Sequence, residues 1–149
     1  MVKYLEDFVV GEKATSPGRT ITETDVVLFS GLSGDVNPIH TDEEFCKKNS
    51  PFGTRIAHGM LGLSVVTGLS ARIGDMAGSA IAFLGIEEWR FKNPIIAGDT
   101  VHLVVETTEA RPTSKPGRGL VKRKLTLLNQ KGDVCQEGYF SVLVHARGS

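Results

Sequence analysis

The stretch from Ala57 to Ile73, AHGMLGLSVVTGLSARI, most narrows what this chain can fold into. Met60, Leu61, Leu63, Val65, Val66 and Leu69 leave no polar stripe before Arg72, so a helix here is expected to be buried on nearly all sides. Gly59, Gly62 and Gly68 each lower helix propensity by about 1 kcal/mol relative to alanine, which points to something packed close against the helix backbone. A sheet wrapped around one helix meets both conditions.

The second half of the chain supplies such a sheet. Four extended stretches follow Gly78: Ser79 to Lys92, Thr100 to Arg111, Gly119 to Leu128 and Val134 to His145. Alternation is clearest in VHLVVETTE and YFSVLVHA, as antiparallel strands with one buried face require. Residues 129–133, NQKGD, have hairpin-turn composition, and residues 113–119 form a longer exposed loop. Upstream the pattern is helical. Thr22 and Asp25 are spaced as a capping pair before Val26, Val27, Phe29 and Leu32, and Asp42, Glu43 and Glu44 open a second short helix that Lys47 and Lys48 close. Helices followed by a run of strands give an α+β class, with an antiparallel sheet around one long apolar helix.

No repeat or linker divides residues 1–149, which are expected to form one domain, with no role for the final Gly148-Ser149 pair. With 40% hydrophobic and 23% charged residues, disorder and fibrous repeats are poor readings. Seventeen basic side chains balance seventeen acidic ones, which argues against a nucleic-acid or anionic-membrane partner. Cys46 and Cys135 lack zinc-site spacing and read as reduced thiols, and no apolar run reaches the length of a membrane span. A soluble, cytoplasmic protein without a structural metal is expected.

The chemistry concentrates in residues 33–40, SGDVNPIH. Pro38 forces Asn37 out of the helical region, and Asn37 can turn the chain through its own side chain, so Asp35 and His40 can be brought to one point. A carboxylate and an imidazole so held could share one water, one group taking its proton and the other giving one. The competing reading is structural: Asp35 caps a turn and His40 is a satisfied imidazole. A calcium loop fails, because the required glycine and glutamate positions are not filled.

A second candidate is Gly59, at the start of the apolar helix. The first amides of a helix lack internal partners, so its N–H could bond a carbonyl that becomes an oxyanion, although a glycine here also reads as a packing residue. Neighbouring His58 reads as structural. Thr67 offers a hydroxyl within the helix, with back-bonding to a carbonyl as the alternative. Lys115 and Arg118 belong to the densest basic patch, which is either solvated surface or a phosphate contact.

Taken together, residues Tyr4 to Ala146 resemble the MaoC-like hydratase family, the (R)-specific enoyl-CoA hydratases of the hot dog fold. The resemblance rests on residues 32–40, LSGDVNPIH, on residues 56–60, IAHGM, eighteen residues beyond His40, and on residues 89–94, WRFKNP, with Gly98-Asp99. It implies Asp35 and His40 as the catalytic pair and Gly59 N–H as donor to the thioester carbonyl. Asn37 is implied in substrate binding or in orienting the aspartate. Thr67 stands where short-chain members carry a serine that contacts the catalytic aspartate. The implied substrate is an acyl-CoA thioester, with no cofactor beyond its coenzyme A and no metal. Lys115 and Arg118 are candidates for the coenzyme A phosphates. A homodimer or larger homo-oligomer, with sheets joined edge to edge, is implied as well. The rivals are a hot dog thioesterase and a non-catalytic acyl-CoA-binding subunit; keeping Asp35 and His40 in one loop counts against both. The acyl group is not fixed by the sequence.

Overall fold

The computed structural model describes residues 1–149. After a 3-10 turn at Leu5–Asp7 come two short strands, β1 (Lys13–Thr15) and β2 (Arg19–Thr20), and four helices, α1 (Glu23–Ser33), α2 (Pro38–Thr41), α3 (Glu43–Asn49) and α4 (Gly59–Ile73). Four long strands follow: β3 (Ala80–Phe91), β4 (Thr100–Pro112), β5 (Arg118–Leu128) and β6 (Val134–His145). Every pairing is antiparallel, in the order β1-β4-β5-β6-β3, with β2 also on β4. The long strands and α4 lie where the hydrophobic pattern puts them.

The helix starts follow local capping chemistry. Thr22 Oγ1 accepts from Asp25 N–H at 3.2 Å, and the Asp25 carboxylate accepts from Thr22 N–H at 2.8 Å, so two free amides are satisfied reciprocally. Asp42 caps α3 by accepting from Phe45 N–H at 2.8 Å. Asn37 caps α2 by accepting from Ile39 N–H at 3.2 Å, with Pro38 as the first helical residue, where its missing N–H is not needed. The Asn129 side chain closes the β5–β6 turn by accepting from Lys131 and Asp133 N–H.

The core forms where α4 lies against the sheet. Leu61, Leu63, Val65, Val66 and Leu69 pack with Val101, Leu103 and Val105 of β4, Leu125 and Leu127 of β5, and Phe140 of β6. The expectation that α4 is buried on nearly all sides is corrected: Met60, Ser64, Thr67, Gly68 and Ala71 are exposed along one face. These residues recur at helical spacing, and one chain's sheet covers only the opposite face. Two of the three glycines do mark close approach. A Cβ on Gly59 would lie 2.9 Å from the Phe91 ring and one on Gly62 would lie 2.1 Å from Gln136 Nε2, whereas Gly68 has open space around it. On α1, Val26 is buried, but Val27 and Leu32 are 60% and 84% exposed, so its apolar pattern overstates its contact with the core.

The far end of α4 is fixed by a buried ion pair. Arg123 of β5 donates to both carboxylate oxygens of Asp75, at 3.2 and 2.7 Å, and both residues are more than nine-tenths buried. Removing one member of such a pair leaves the other charged and unpaired in the interior. Arg123→Met is therefore expected to destabilise the fold by about 3 kcal/mol, measured by urea unfolding. A loss below about 1 kcal/mol would show that the pair does not fasten the helix.

Candidate active site

The loop from Ser33 to Thr41 is set by side chains acting on nearby backbone. Gly34 ends α1 in the left-handed region at φ 74°, which a residue without Cβ adopts at little cost. Ser33 Oγ accepts from Asp35 N–H at 3.1 Å, and Asp35 Oδ1 accepts from Asn37 N–H at 3.2 Å. The Asp35 carboxylate is thus aimed by its own loop while its side chain stays 52% exposed. Asn37 contributes through its backbone amide, and its side chain is committed to capping α2.

His40 is buried at the centre of this turn. Its Nδ1 lies 2.7 Å from Ile56 O; a carbonyl only accepts, so Nδ1 carries the proton and Nε2 is left to react. Nε2 faces Asp35 Oδ2 at 3.9 Å. That gap is too long for a direct hydrogen bond and suits one water touching both groups. The bend read from residues 33–40 does bring the two together.

His58, read as structural, sits against both. Its ring stacks on His40 with centroids 3.8 Å apart and planes inclined by 25°, and Phe29 lies on it at 5.0 Å. Its Nε2–H donates to Asp35 O at 2.8 Å, so one buried imidazole holds the aspartate's backbone and covers the other imidazole. Asp35, His40 and His58 place ligating atoms within 4.8 Å of one another. The stacked rings put their lone pairs in nearly parallel planes, and Nδ1 of His40 and Nε2 of His58 already face carbonyl oxygens, so the set suits proton transfer better than an ion.

His58 is also the N-cap of α4 and makes no side-chain cap, in contrast to Thr22, Asn37 and Asp42. Leu61 N–H bonds His58 O, which leaves the Gly59 and Met60 amides for another acceptor at the positive end of the helix dipole. Gly59 and His40 line one cavity of about 400 Å³ with Ile39, Phe52, Phe91 and Gln136. A Cβ at Gly59 would strike Phe91, so only glycine leaves this wall open. Behind His40 the loop is braced by Arg55, which donates to Glu43 at 2.9 Å and also pairs with Glu23. Hydrogen bonds from Arg55 and Thr54 hold the Glu43 carboxyl below its ordinary pKa.

Other expected residues lie elsewhere. Thr67 Oγ1 donates to Ser64 O at 2.6 Å, the back-bonded alternative, and makes no hydrogen bond to Asp35. It lines a separate apolar cavity of about 580 Å³ with Ser70, Ala71, Ala80, Phe83 and Phe140. Lys115 and Arg118 lie at the opposite end of the sheet: Arg118 pairs with His145, whereas Leu127 and Phe91 pair with Gln136 beside Gly59. From Arg118 to Leu127 is about 30 Å of strand, so these cations do not reach the dyad within one chain. The cation lining the 400 Å³ cavity is Lys92, paired with Glu137 at 2.6 Å. Both cysteines are buried, and burial pushes the Cys135 thiol up to about 11, which leaves no thiolate nucleophile there at neutral pH. Gln136 joins the 400 Å³ cavity from β6, and its one sequence signal is an uncharged amide inside an otherwise core-forming strand.

Comparisons with known proteins show which family and fold the chain is similar to. The family described as "MaoC like domain" matches residues 7–127. The chain is 37% identical over 148 residues to an (R)-specific enoyl-CoA hydratase of Rhodospirillum rubrum, covering 99% of this chain and 96% of that one. The solved (R)-hydratase of A. caviae superposes with a TM-score of 0.73 at 30% identity, covering 95% of this chain and 98% of that one. Rv0216 of Mycobacterium tuberculosis, described as a double hotdogfold, matches at a TM-score of 0.88 and 21% identity over 99% of this chain and 46% of that one, which shows the fold.

Replacing His58 with phenylalanine keeps a ring over His40 and removes the donor to Asp35 O. Losing this part-buried hydrogen bond costs about 0.5 to 1.5 kcal/mol, so His58→Phe should lower the unfolding free energy by that amount and reduce kcat with the dyad displaced. Denaturation and steady-state kinetics check this; wild-type values for both would show that the hydrogen bond positions nothing.

Proposed function

From a chain that belongs to the MaoC-like domain family, we propose an (R)-specific enoyl-CoA hydratase, a hydro-lyase that reversibly adds water across the double bond of a 2-enoyl-CoA thioester. The observation that carries this reading is the Asp35 carboxylate 3.9 Å from His40 Nε2, in a site where the other imidazole nitrogen is tied to Ile56 O. As the water oxygen bonds to C3 of the enoyl group, the pair takes one proton from it and returns one to C2. Charge developing on the thioester oxygen is met by Gly59 N–H, a kind of donor whose removal in other enzymes costs about 3 to 4 kcal/mol of transition-state stabilisation. Proton transfer by positioned groups adds about 10² to 10⁴. Every one of these steps is supplied by the polypeptide.

A homodimer is part of this reading. β3 ends the sheet, and its Phe83, Leu84, Ile86 and Phe91 are exposed beside the open face of α4. An apolar edge of that length is expected to be covered, and a second copy paired antiparallel about a two-fold axis covers it with itself. Such pairing sets the Ala80 end of β3 beside the Phe91 end of the other copy. The 580 Å³ apolar cavity of one protomer would then lie near the dyad of the other and take its acyl chain. Thr67 serves the substrate in that arrangement without touching Asp35 of its own chain.

The test of the reaction is loss of the conjugated-thioester absorbance when purified protein meets a panel of 2-enoyl-CoAs, with the product's configuration determined. Asp35→Asn and His40→Asn are each expected to cut kcat at least about a hundredfold with an unchanged circular dichroism spectrum. Wild-type turnover in either variant would sink the mechanism. For the assembly, light scattering should give twice the chain mass or more, and Phe83→Lys should shift the population toward monomer. A wild-type monomer that is fully active would contradict the shared site.

A further inference from the structure

The pairing of β3 with β6 shifts register at three places, and the last of them lies between Glu87 and Arg90. Glu87 pairs with Tyr139 and Arg90 with Glu137, so Glu88 and Trp89 together oppose Gly138 in a bulge. Glu88 adopts φ 52°, the one non-glycine residue in the left-handed region. Strain of this kind persists where surrounding contacts over-determine it. The contact here is Trp89. A Cβ on Gly138 would lie 2.6 Å from the Trp89 ring, so the glycine opens the space into which the indole turns.

The indole N–H donates to Gln136 Oε1 at 3.1 Å, and Gln136 Nε2 donates to Gly59 O at 3.0 Å. Indole nitrogen only donates and the peptide oxygen only accepts, so the two partners fix which way the amide faces. Gln136 is 3% exposed, and Gly62 leaves the space its amide fills. Four departures from plain strand and helix chemistry, at Glu88, Gly138, Gln136 and Gly62, thus converge on the first turn of α4.

We propose that Gln136, oriented by Trp89, is a positioning residue that fixes Gly59 as the oxyanion donor; this inference rests on the hydratase reading above. Gly59 has no side chain to hold it, and its N-cap supplies no side-chain bond. An oxyanion donor must sit within a few tenths of an ångström of its place to act on the transition state. The clamp supplies that constraint from the sheet, through the carbonyl of the same residue whose N–H serves the substrate.

The test compares Gln136→Met, which keeps bulk and removes the donor, with Gly62→Ala, which displaces an unaltered Gln136. Each is expected to lower kcat about tenfold or more while KM stays within about twofold. The second readout is the infrared band of a ¹³C-labelled thioester carbonyl in bound butanoyl-CoA, which has no double bond to hydrate. Its shift to lower frequency on binding wild-type protein should shrink clearly in both variants. Trp89→Phe, which loses only the indole donor, should fall between. Folded variants with wild-type kcat, or with lowered kcat and an unchanged carbonyl shift, overturn the role of Gln136. A wild-type protein that turns over no enoyl-CoA overturns the hydratase reading instead, so the two failures are distinct.

Discussion

The close approach of α4 to the sheet is the constraint on which the rest depends. Gly62 lets the helix backbone come near enough for Gln136 to reach the carbonyl of Gly59, and the Arg123–Asp75 pair fastens the far end. With both ends held, the helix start is a fixed point in the molecule rather than a fraying turn. Leu61, Val65, Val66 and Leu69 drive the packing through apolar burial, while the polar contacts at the ends set where along the sheet the helix rests. A donor that must meet a developing charge needs both: the burial supplies stability and the polar contacts supply register.

Against this fixed point the loop from Ser33 to Thr41 is folded almost entirely by its own side chains. Ser33, Asp35, Asn37 and Thr41 each bond backbone within a few residues, so the chain turns tightly without a large core of its own. Two longer side-chain contacts join the loop to the segment that leads into α4. Ile56 O takes the Nδ1 proton of His40, and His58 gives its Nε2 proton to Asp35 O. Each contact fixes a tautomer as well as a position, and between them the reactive imidazole nitrogen is turned toward the carboxylate. The contrast in environment matters: His40 is buried and Asp35 half exposed, which leaves the carboxylate at the water-accessible side of the pair.

Much of this was legible in the sequence because it is local. Thr22, Asn37 and Asp42 announce helix starts by chemistry that acts over two or three residues, and alternation in β4 and β5 marks the buried face directly. What could not be read depends on partners distant in the chain. The exposure of one face of α4 follows from where the sheet ends. The strands β1 and β2 are too short to show a period. The bulge at Glu88 and the reach of Gln136 to Gly59 join residues far apart in sequence, with only isolated glycines at 62 and 138 as a trace. Family spacing implies a contact between Thr67 and Asp35, yet along α4 Thr67 stands about 12 Å beyond Gly59 and faces another cavity.

The central claim is that Asp35 and His40 act as one unit on one water. The most direct measurement is a double-mutant cycle, with kcat for enoyl-CoA hydration determined for Asp35→Asn, His40→Asn and the doubly substituted protein under one set of conditions. Groups that work as a unit lose nearly everything when either is removed. The account predicts that the double variant is no more than a few-fold slower than the slower single variant. Losses that multiply in full would show two independent contributions and contradict the shared water.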